Sequence, residues 1–419
     1  IFETVEVSEP SPSETLLILQ TILPEFEARG VFFPYTTLKA TVHLTDRYIQ
    51  DMPFPEKAIE VLDNATTFAS MKPATGDTGK DRLARQSLGE GGTRREENSG
   101  IPIITPQLIE TIISNKIKMP VSVSDKEKDL LVRLEDTLHH RVINQKYAIS
   151  AISNALRRAR TDVSVRKHKP IGVFLFLGPT GVGKTETAKA LAETFYGKES
   201  HMSRFDMSEF HDEDAIARFI GDFTSNTQGV FASKLRENPY TLLLLDEFEK
   251  ANSKVHNLFL SGFDEGVITD AFGKKVYLTN TIIIATSNAG SEFIRQRVSE
   301  KTDNKTIQQE LIDYVQRKQI FSPELLNRFD DVIVFEPLTR ENTEAILQLS
   351  LTRMNTKLKA QHGFTLVLTP ETHKNVLEEG FNASFGGRQL TRAMQKYIEN
   401  PLSIKILNDE VKRGEIVQI

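Results

Sequence analysis

Hydrophobic residues follow two different spacings along the chain, and the alternation between them outlines a folded core. From residue 101 onward, short apolar runs alternate with stretches whose apolar positions recur every three or four residues. Runs of this kind are typical of parallel strands that helices cover on both faces, and the second spacing is typical of those helices. The sequence therefore predicts an α/β fold with a parallel sheet between helices. The strands are predicted at residues 172–177, 202–206, 241–245, 281–286 and 332–335.

The chain on either side of this core is predicted to be mostly helical. Residues 1–72 contain three amphipathic stretches, the first of which begins near the candidate capping residues Ser11 and Ser13, and they carry no catalytic motif. Residues 73–100 are rich in Gly, charged and small polar residues, so we expect a flexible linker. After the core at 101–336, helices return at 337–419 with one short strand at 365–368, which predicts a small α+β lid domain.

Composition narrows the classes of function. The chain has 419 residues, enough for two or three domains, and it contains no Cys, which excludes disulfides, thiolate metal sites and Cys nucleophiles. A net charge of -5 argues against nucleic-acid binding, and the apolar runs are too short to span a bilayer, so we expect neither a nucleic-acid nor a membrane partner. The first residue is Ile1 rather than Met, so we expect a piece of a longer protein, and because no signal peptide is visible we expect that protein to be cytoplasmic.

A motif directly after the first predicted strand has the spacing of a phosphate-binding loop. It matches G-x-x-x-x-G-K-[ST] and consists of Gly178, Pro179, Thr180, Gly181, Val182, Gly183, Lys184 and Thr185. Backbone N–H groups of such a loop, together with the positive end of the following helix, surround phosphate oxygens. Lys184 is predicted to reach the β and γ phosphates of ATP, and Thr185 to bind Mg²⁺. The alternative is a Gly-rich turn that merely precedes a helix.

A pair of carboxylates, Asp246 and Glu247, follows the predicted strand at 241–245. Alone, an acidic pair after a strand is more often a turn or a helix cap. At the carboxyl edge of a parallel sheet that also carries a phosphate-binding loop, such a pair faces the nucleotide crevice. We therefore predict that Asp246 holds Mg²⁺ beside the nucleotide and that Glu247 is the general base that polarises the attacking water.

Three further polar residues are ambiguous from their positions alone. Asn288 follows the strand at 281–286, where its amide either contacts the lytic water or γ phosphate or caps the next helix, and capping is the commoner role. Arg328 precedes the last core strand, and Arg388 lies in the Gly-rich segment 385–390. Both arginines have the charge needed to neutralise phosphate, yet most arginines at such positions form surface ion pairs.

Taken together, these motifs resemble the second ATPase module of the Clp/ClpB-like double-ring AAA+ unfoldases. The likeness extends from about residue 101 to the end of the chain, and residues 1–72 resemble the C-terminal helical lid of an upstream ATPase module. Three more segments carry the likeness, at 138–145, 206–210 and 246–250.

The resemblance assigns roles that position alone leaves open. It implies that Val142 and Ile143 contact adenine, that Asn288 is the sensor 1 residue and that Arg388 is the sensor 2 residue. It also implies that Arg328 is an arginine finger that acts on the site of a neighbouring subunit.

The activity that the resemblance implies is that of an ATP-hydrolysing protein unfoldase or remodelling chaperone that uses ATP and Mg²⁺. The implied partners are other copies of the chain in a ring, a hexamer in this family, and unfolded or misfolded proteins. Two alternatives stay open: a nucleotide-gated assembly or scaffold ATPase that threads no substrate, and, less favoured, a DNA-directed AAA+ ATPase.

The chain departs from the family pattern at the loop that grips threaded polypeptide. The family carries Gly-Tyr-Val-Gly after a segment like 218–221, whereas here residues 222–228 read Asp-Phe-Thr-Ser-Asn-Thr-Gln and the loop is several residues shorter. Phe223 is its aromatic candidate, and this side chain either protrudes or packs beneath the loop. We therefore predict weak or unconventional gripping.

Two smaller departures concern a partner and the base. No hydrophobic tripeptide of the type that docks a partner peptidase is visible between residues 291 and 321, so a peptidase partner is not supported. Asn144 stands where the family usually has Gly, which predicts a slightly altered contact with adenine.

Overall fold

The computed structural model describes residues 8–49, 52–71, 101–117, 125–160, 169–381, 386–408 and 410–419. They belong to two compact units, Ile1–Lys126 and Glu127–Ile419. The linker predicted at 73–100 lies outside the described residues. None of the helices within the described ranges has the length and apolar character that a membrane crossing needs.

The described part of the first unit is helical. Its helices are Pro12–Glu27, Tyr35–Tyr48, Glu56–Met71 and Pro106–Ile117. Of the two candidate caps, Ser11 caps the first helix, because its hydroxyl accepts the N–H of Glu14 while the Glu14 carboxylate accepts the N–H of Ser11. The helix Pro106–Ile117, which falls within the core predicted at 101–336, packs against the second and third helices of this unit.

The second unit is built on a parallel sheet of five strands in the order β2-β5-β8-β1-β9. Its strands are β1 Gly172–Leu177, β2 Met202–Asp206, β5 Leu242–Asp246, β8 Ile282–Ser287 and β9 Asp331–Val334. Every residue of β1 and β8 is buried, which explains why these strands are apolar at consecutive positions. Each strand lies within one residue of its predicted bounds, so the predicted α/β fold is confirmed.

Helices and two hairpins connect these strands. The hairpins are β3 Gly221–Asp222 with β4 Thr227–Gln228, and β6 Val267–Thr269 with β7 Lys275–Tyr277. The helices from residue 125 to the end of the core are Asp125–Val132, Leu134–His139, Lys146–Arg160, Lys184–Tyr196, Ala215–Ile220, Val230–Glu237, Ser253–Glu265, Ser291–Ser299, Asn304–Arg317 and Pro323–Leu326. Short 3₁₀ turns lie at Glu199–His201, Met207–Phe210 and Phe248–Lys250.

A cluster of aromatic rings packs against one face of the sheet. Phe219 and Phe231 stack with ring centroids 4.4 Å apart, and Phe259 meets both rings edge-on. Val173 of β1 and Leu243 of β5 belong to the same buried cluster. Burial of one such side chain stabilises the fold by roughly 1.5–3 kcal/mol. The cluster therefore keeps the strands, and the polar residues that follow them, in fixed register.

The lid domain follows the last core strand and has its own apolar core. Its helices are Arg340–Gln361, Pro370–Gly380, Gly387–Met394 and Asn400–Leu407, with a π-helical turn at Gln395–Glu399. The strands β10 Thr365–Val367 and β11 Ile416–Gln418 pair in parallel, which confirms the strand predicted at 365–368. Leu347, Leu390 and Ile398 are among the buried residues of this second core.

Candidate active site

The strands at the middle of the sheet all end in polar segments. β1 runs into the phosphate-binding motif at 178–185, β5 ends at Asp246, and β8 ends at Ser287, directly before Asn288. Because β5, β8 and β1 are parallel neighbours, their carboxyl ends lie side by side at one edge. The fold therefore brings together the residues predicted to bind phosphate and Mg²⁺ and to activate water.

The phosphate-binding loop has the backbone shape that its motif requires. Gly181 and Gly183 have φ angles of 78° and 109°, in a region that residues with a Cβ rarely adopt. The helix Lys184–Tyr196, which we call the P-loop helix, begins directly after Gly183. The first N–H groups of this helix and the positive end of its dipole therefore lie at the loop. This arrangement favours the binding of an anion.

Lys184 is the first residue of the P-loop helix and is only 8% exposed. Its Nζ donates hydrogen bonds to the carbonyl oxygen of Gly178 at 2.5 Å and to Oδ1 of Asn288 at 2.9 Å. Burial lowers the pKa of Lys184 to about 8, and the carboxylates of Glu249 and Asp246 act against that shift. A phosphate beside this nitrogen would favour the charged amine further, so the loop is suited to an anionic ligand.

The two carboxylates at the end of β5 have different surroundings. The hydroxyl of Thr286 donates to Oδ1 of Asp246, and Nη2 of Arg204 lies 2.5 Å from its Oδ2. Glu247 has a left-handed backbone, with φ 56° and ψ 44°, which is strained for a residue with a Cβ, and its Oε2 lies 2.5 Å from Nζ of Lys250. Neighbouring strands therefore hold Asp246, whereas the backbone turns Glu247 out of the strand.

The side chain of Asn288 contacts the phosphate-binding loop. Its Oδ1 accepts from Lys184 and, at 3.3 Å, from the hydroxyl of Thr180. The N–H of Asn288 donates to Oε1 of Glu249 at 3.2 Å. The next helix, Ser291–Ser299, has Gly290 at its N-cap, so Asn288 does not serve as that cap.

The segment predicted to contact adenine lies beside the same loop. Val142 is 3% exposed, and its Cγ1 is 3.8 Å from the place where a Cβ on Gly183 would stand. Ile143 is half-buried. The Val142 side chain therefore adjoins the loop, as contact with a base requires.

Two polar residues hold this segment in place. Gln145 donates from Nε2 to the carbonyl oxygen of Glu336 and accepts the N–H of Glu336 at Oε1, each at 3.0 Å. Asn144 has a φ of 62°, a left-handed value that Asn tolerates better than most residues, and its Nδ2 donates to Oδ1 of Asn342 in the lid at 3.2 Å. Asn in place of the family's Gly therefore preserves the left-handed turn and adds a contact to the lid.

The lid touches the phosphate-binding loop at the start of the helix Gly387–Met394. The N–H of Gly387 donates to the carbonyl oxygen of Gly181 at 2.9 Å, and a Cβ on Gly386 would lie 2.8 Å from that oxygen, so the close approach requires glycine. Arg388 is exposed and lies near enough to Lys184 to lower its pKa. The structure thus brings a second cation to the phosphate side of the site.

Arg328 lies at the opposite edge of the sheet. It precedes Asp330, whose carboxylate accepts the N–H of Val173 at the start of β1 at 2.8 Å. From there β1 runs about 17 Å to the phosphate-binding loop at its other end. Nε of Arg328 lies 2.7 Å from Oδ2 of Asp264, whose Oδ1 lies 2.6 Å from Nζ of Lys169. Within one chain, Arg328 is therefore not grouped with the other predicted site residues.

The β3–β4 hairpin carries the loop that departs from the family pattern. Phe223 is 72% exposed, so of the two placements that the sequence left open, the protruding one is observed. Its ring centroid is 6.0 Å from that of Phe272, in the turn between β6 and β7. Asp222 accepts hydrogen bonds from Thr224 and Ser225, which lower the pKa of Asp222 to about 2. The tip is a compact turn with one protruding aromatic ring.

Three residues of this site were not predicted from the sequence. Glu249 belongs to the segment 246–250, which was recognised as a family motif, but no role was assigned to it. Its Oε2 is buried and has no hydrogen-bond partner among the residues that the structure describes. Thr286 and Arg204 reach Asp246 because β8 and β2 flank β5. Strand order creates these contacts, and no local pattern signals it.

Three family models match the chain. The AAA domain (Cdc48 subfamily) matches residues 169–332, and the C-terminal, D2-small domain of ClpB protein matches residues 338–419. An AAA lid domain matches residues 11–95. The chain belongs to the Clp/ClpB-like AAA+ ATPases. The resemblance inferred from the motifs is therefore confirmed.

Curated relatives include the ATP-binding subunits ClpC of the ATP-dependent Clp protease. The chain is 33% identical over 465 residues to ClpC of Staphylococcus epidermidis (strain ATCC 12228 / FDA PCI 1200) and to ClpC of Staphylococcus aureus (strain USA300). Each match covers 100% of this chain and 56% of the relative. The chain thus spans about half the length of these relatives.

Solved structures of Hsp104 share the fold. One is a closed-state cryo-EM reconstruction of Hsp104 with ATPγS and FITC-casein, with a TM-score of 0.83 and 29% identity, covering 100% of this chain and 68% of that chain. Another is the S. cerevisiae Hsp104–casein complex in its extended conformation, with a TM-score of 0.80 and 29% identity, covering 98% of this chain and 67% of that chain.

This chain belongs to a family of ATPases that use ATP with Mg²⁺. Its residues fit the metal, because the Thr185 hydroxyl and the Asp246 carboxylate are oxygen donors of the kind that Mg²⁺ prefers. Among the described residues, no group of three or more His, Asp or Glu side chains could hold a metal ion alone.

Proposed function

We propose that this chain is the second ATPase module of an ATP-driven protein unfoldase or remodelling chaperone. The observation that carries the proposal is the contact of Lys184 and Asn288 beside the carboxylates that end β5. This grouping supplies a phosphate ligand, a γ-phosphate sensor and a base at one sheet edge. We propose an ATPase core at 101–336, a lid at 337–419 and, at 1–72, the lid of a preceding module joined by the linker 73–100. The lid-domain match at 11–95 supports the last of these.

Each group at the site has a proposed part in hydrolysis. Bound Mg²⁺ would neutralise charge between the β and γ phosphates, with Thr185 and Asp246 as its protein ligands. Lys184 and the loop N–H groups would hold the phosphates, Glu247 would accept a proton from the attacking water, and Asn288 would orient that water. Arg388 would bring a positive charge from the lid to the phosphates. Val142 and Ile143 would contact the adenine. The remaining loop residues that would surround the phosphates are Gly178, Pro179, Thr180, Gly181, Val182 and Gly183.

A ring is proposed because one predicted catalytic group lies away from its own site. Arg328 precedes the amino end of β1, whereas the phosphate-binding loop follows its carboxyl end. A neighbouring subunit that presents this edge would supply the missing cation, as arginine fingers do in other phosphoryl-transfer proteins. We propose a hexamer, with closure by identical head-to-tail contacts.

The proposed substrates are unfolded or misfolded proteins. The two Hsp104 structures with this fold contain casein, an unfolded protein, and this likeness supports a similar substrate class here. The exposed Phe223 at the tip of the β3–β4 hairpin is the candidate contact.

The test is the rate of ATP hydrolysis with and without casein. Stimulation by casein is expected for an unfoldase, with Glu247→Gln as the control that shows neither basal nor stimulated turnover. A rate that casein leaves unchanged would favour an ATPase that threads nothing. Stimulation by DNA instead of casein would contradict the proposed substrate class.

A further inference from the structure

Arg141, immediately before the proposed adenine contacts, is surrounded by carboxylates. Its Nη2 lies 2.7 Å from Oε1 of Glu186 and 2.6 Å from Oε1 of Glu199, and its Nη1 contacts Glu193. Its Nε also donates to Oε1 of Glu186 at 3.2 Å. The Arg141 side chain is 19% exposed, so water only partly screens these charge-assisted hydrogen bonds.

The two ends of this contact differ in how firmly the fold holds them. Glu186 and Glu193 lie on the P-loop helix, whose inner face is buried against the sheet. Arg141 lies in the irregular turn between the helices Leu134–His139 and Lys146–Arg160. The N–H groups of Arg141 and Val142 donate to the carbonyl oxygen of Leu138 at 3.0 and 2.9 Å, and side chains add to these contacts in positioning the turn. The helix is therefore the fixed partner, and the arginine fastens the turn to it.

The lid supplies a second arginine to the same carboxylate. Nη1 of Arg353, in the lid helix Arg340–Gln361, lies 3.5 Å from Oε1 of Glu186, and its side chain is 45% exposed. Arg353 carries the same charge into the same cluster but does not belong to the turn before the adenine contacts. It is therefore a matched control for the charge of Arg141.

We infer that Arg141 is a positioning residue that holds Val142 and Ile143 against the base of the nucleotide. The inference rests on the proposed adenine site. Lys184 makes its contacts with the loop and Asn288, none of which involves Arg141. Removal of the guanidinium therefore loosens the base-binding turn at its start, while Asn144 and Gln145 still hold its end, and it leaves the phosphate side of the site in place.

The test compares a ligand that has the base with one that lacks it. The dissociation constants of Mg-ADP and Mg-pyrophosphate are measured by calorimetry for the wild type, Arg141→Gln and Arg353→Gln. Arg141→Gln should raise the Kd of ADP about tenfold, the equivalent of one charge-assisted hydrogen bond. The Kd of pyrophosphate should stay within about twofold, and so should both constants of Arg353→Gln.

Two results would overturn the inference. An unchanged Kd of ADP would mean that the turn keeps its position without Arg141. A parallel loss of ADP and pyrophosphate would mean that the unneutralised carboxylates act on phosphate through charge alone. If Arg141→Gln does not fold, Arg141→Lys replaces it, since a Lys keeps the charge but lacks the planar guanidinium that contacts Glu186 through both Nε and Nη2, and the same pattern of a weaker ADP Kd is expected.

A further variant separates this inference from the adenine assignment on which it rests. Ile143→Asp puts a charge against the base and should weaken ADP but not pyrophosphate. If it leaves ADP binding unchanged, the adenine site itself is misplaced. If Ile143→Asp weakens ADP and Arg141→Gln does not, the site stands and the positioning role of Arg141 is wrong.

Discussion

In the proposed site, different single residues serve nucleotide binding and turnover. Lys184 is buried among hydrogen-bond acceptors at the start of the P-loop helix, where it can only act on something that enters the loop. Glu247 has a strained left-handed backbone directly after β5, and strain of this kind persists where the surrounding fold imposes a particular direction on a side chain. We therefore expect Lys184 to contribute to affinity and Glu247 to chemistry.

Substitution of these two residues should have different effects. Lys184→Ala should weaken ATP binding about 10- to 100-fold, because it removes charge-assisted hydrogen bonds to phosphate. Glu247→Gln should bind ATP within about threefold of the wild type yet lose at least about 100-fold in turnover, because an amide cannot accept the proton of water. Calorimetry and phosphate release measure the two effects. Hydrolysis by Glu247→Gln at the wild-type rate would show that another group is the base.

His256 makes the stability of the second unit depend on pH. Its Nε2 lies 2.8 Å from the carbonyl oxygen of Phe248, its ring centroid lies 4.6 Å from that of Phe248, and burial lowers the pKa of His256 below its usual value, with the Glu249 carboxylate acting against the shift. The unfolded chain therefore takes up a proton more readily than the folded one. The free energy of unfolding should fall as pH drops below about 6.5, by at most about 1.4 kcal/mol per pH unit.

Urea unfolding at pH 7.5 and pH 5.5 measures this effect. His256→Gln keeps a polar group near the Phe248 carbonyl and removes the titration. The variant should therefore lose less unfolding free energy between the two pH values than the wild type does. Equal losses in the two proteins would show that His256 is not the group responsible.

Among whole elements, the buried strands were the most predictable. A run such as 172–177, apolar at every position, fits a strand that is covered on both faces, and the observed β1 has the same bounds. The packing partner of a helix was less predictable. The helix Pro106–Ile117 packs with the first unit, because an amphipathic pattern shows that one face is buried but not what covers it.

The candidate active site shows the same distinction between residues that a local pattern predicts and contacts that depend on the whole fold. Residues 178–185 were predictable, because a phosphate-binding loop needs its glycines, Lys and Thr at fixed spacing in one stretch of chain. Arg204 and Thr286 were not predictable, since they reach Asp246 from separate strands. Those contacts depend on strand order and register, which arise only when the whole sheet forms.

The β3–β4 hairpin should grip substrate weakly. Hydrogen bonds to Asp222 hold its tip in a compact turn, and Phe223 lies beside Phe272, so little bulky surface can move with the nucleotide state. We expect ATP turnover to persist while a tagged, stably folded reporter is unfolded poorly. Replacement of residues 224–228 by Gly-Tyr-Val-Gly should increase unfolding. Robust unfolding that persists in Phe223→Ala, with any upstream pore inactivated, would contradict this.

The helices at 291–317 should not dock a peptidase. Their apolar residues lie on helix faces that pack into the core, since Ile294, Ile307, Leu311 and Val315 are fully buried and Phe293 and Ile312 are partly buried. A docking anchor must be exposed, and these side chains are already part of the core. We therefore expect no co-purification with a ClpP-type peptidase. A stable complex that is lost when residues 300–303 are replaced by Gly and Ser would show that this segment docks after all.

For the whole molecule, the position of Arg328 leads us to expect that activity depends on assembly. Its own phosphate-binding loop is separated from it by the length of β1, about 17 Å, which no arginine side chain spans. Its ion pair with Asp264 fixes it at the edge where β1 begins. If Arg328 stabilises the transition state, it does so in the active site of a neighbouring chain. The active site of a single chain then lacks this arginine.

Mixing two inactive variants tests this. Arg328→Ala should bind nucleotide but lose about 10³- to 10⁵-fold in turnover, the usual contribution of an arginine finger. Mixed with Lys184→Ala, it should regain activity, because a competent site forms wherever an intact Lys184 of one chain meets an intact Arg328 of the next. In a ring of identical head-to-tail contacts, equal mixing makes roughly a quarter of the interfaces competent. The double variant, mixed with either single variant, should restore nothing, since one of the two groups is then absent from every subunit. If native mass spectrometry confirms mixed rings and every ratio stays inactive, Arg328 acts within its own chain or only supports the fold.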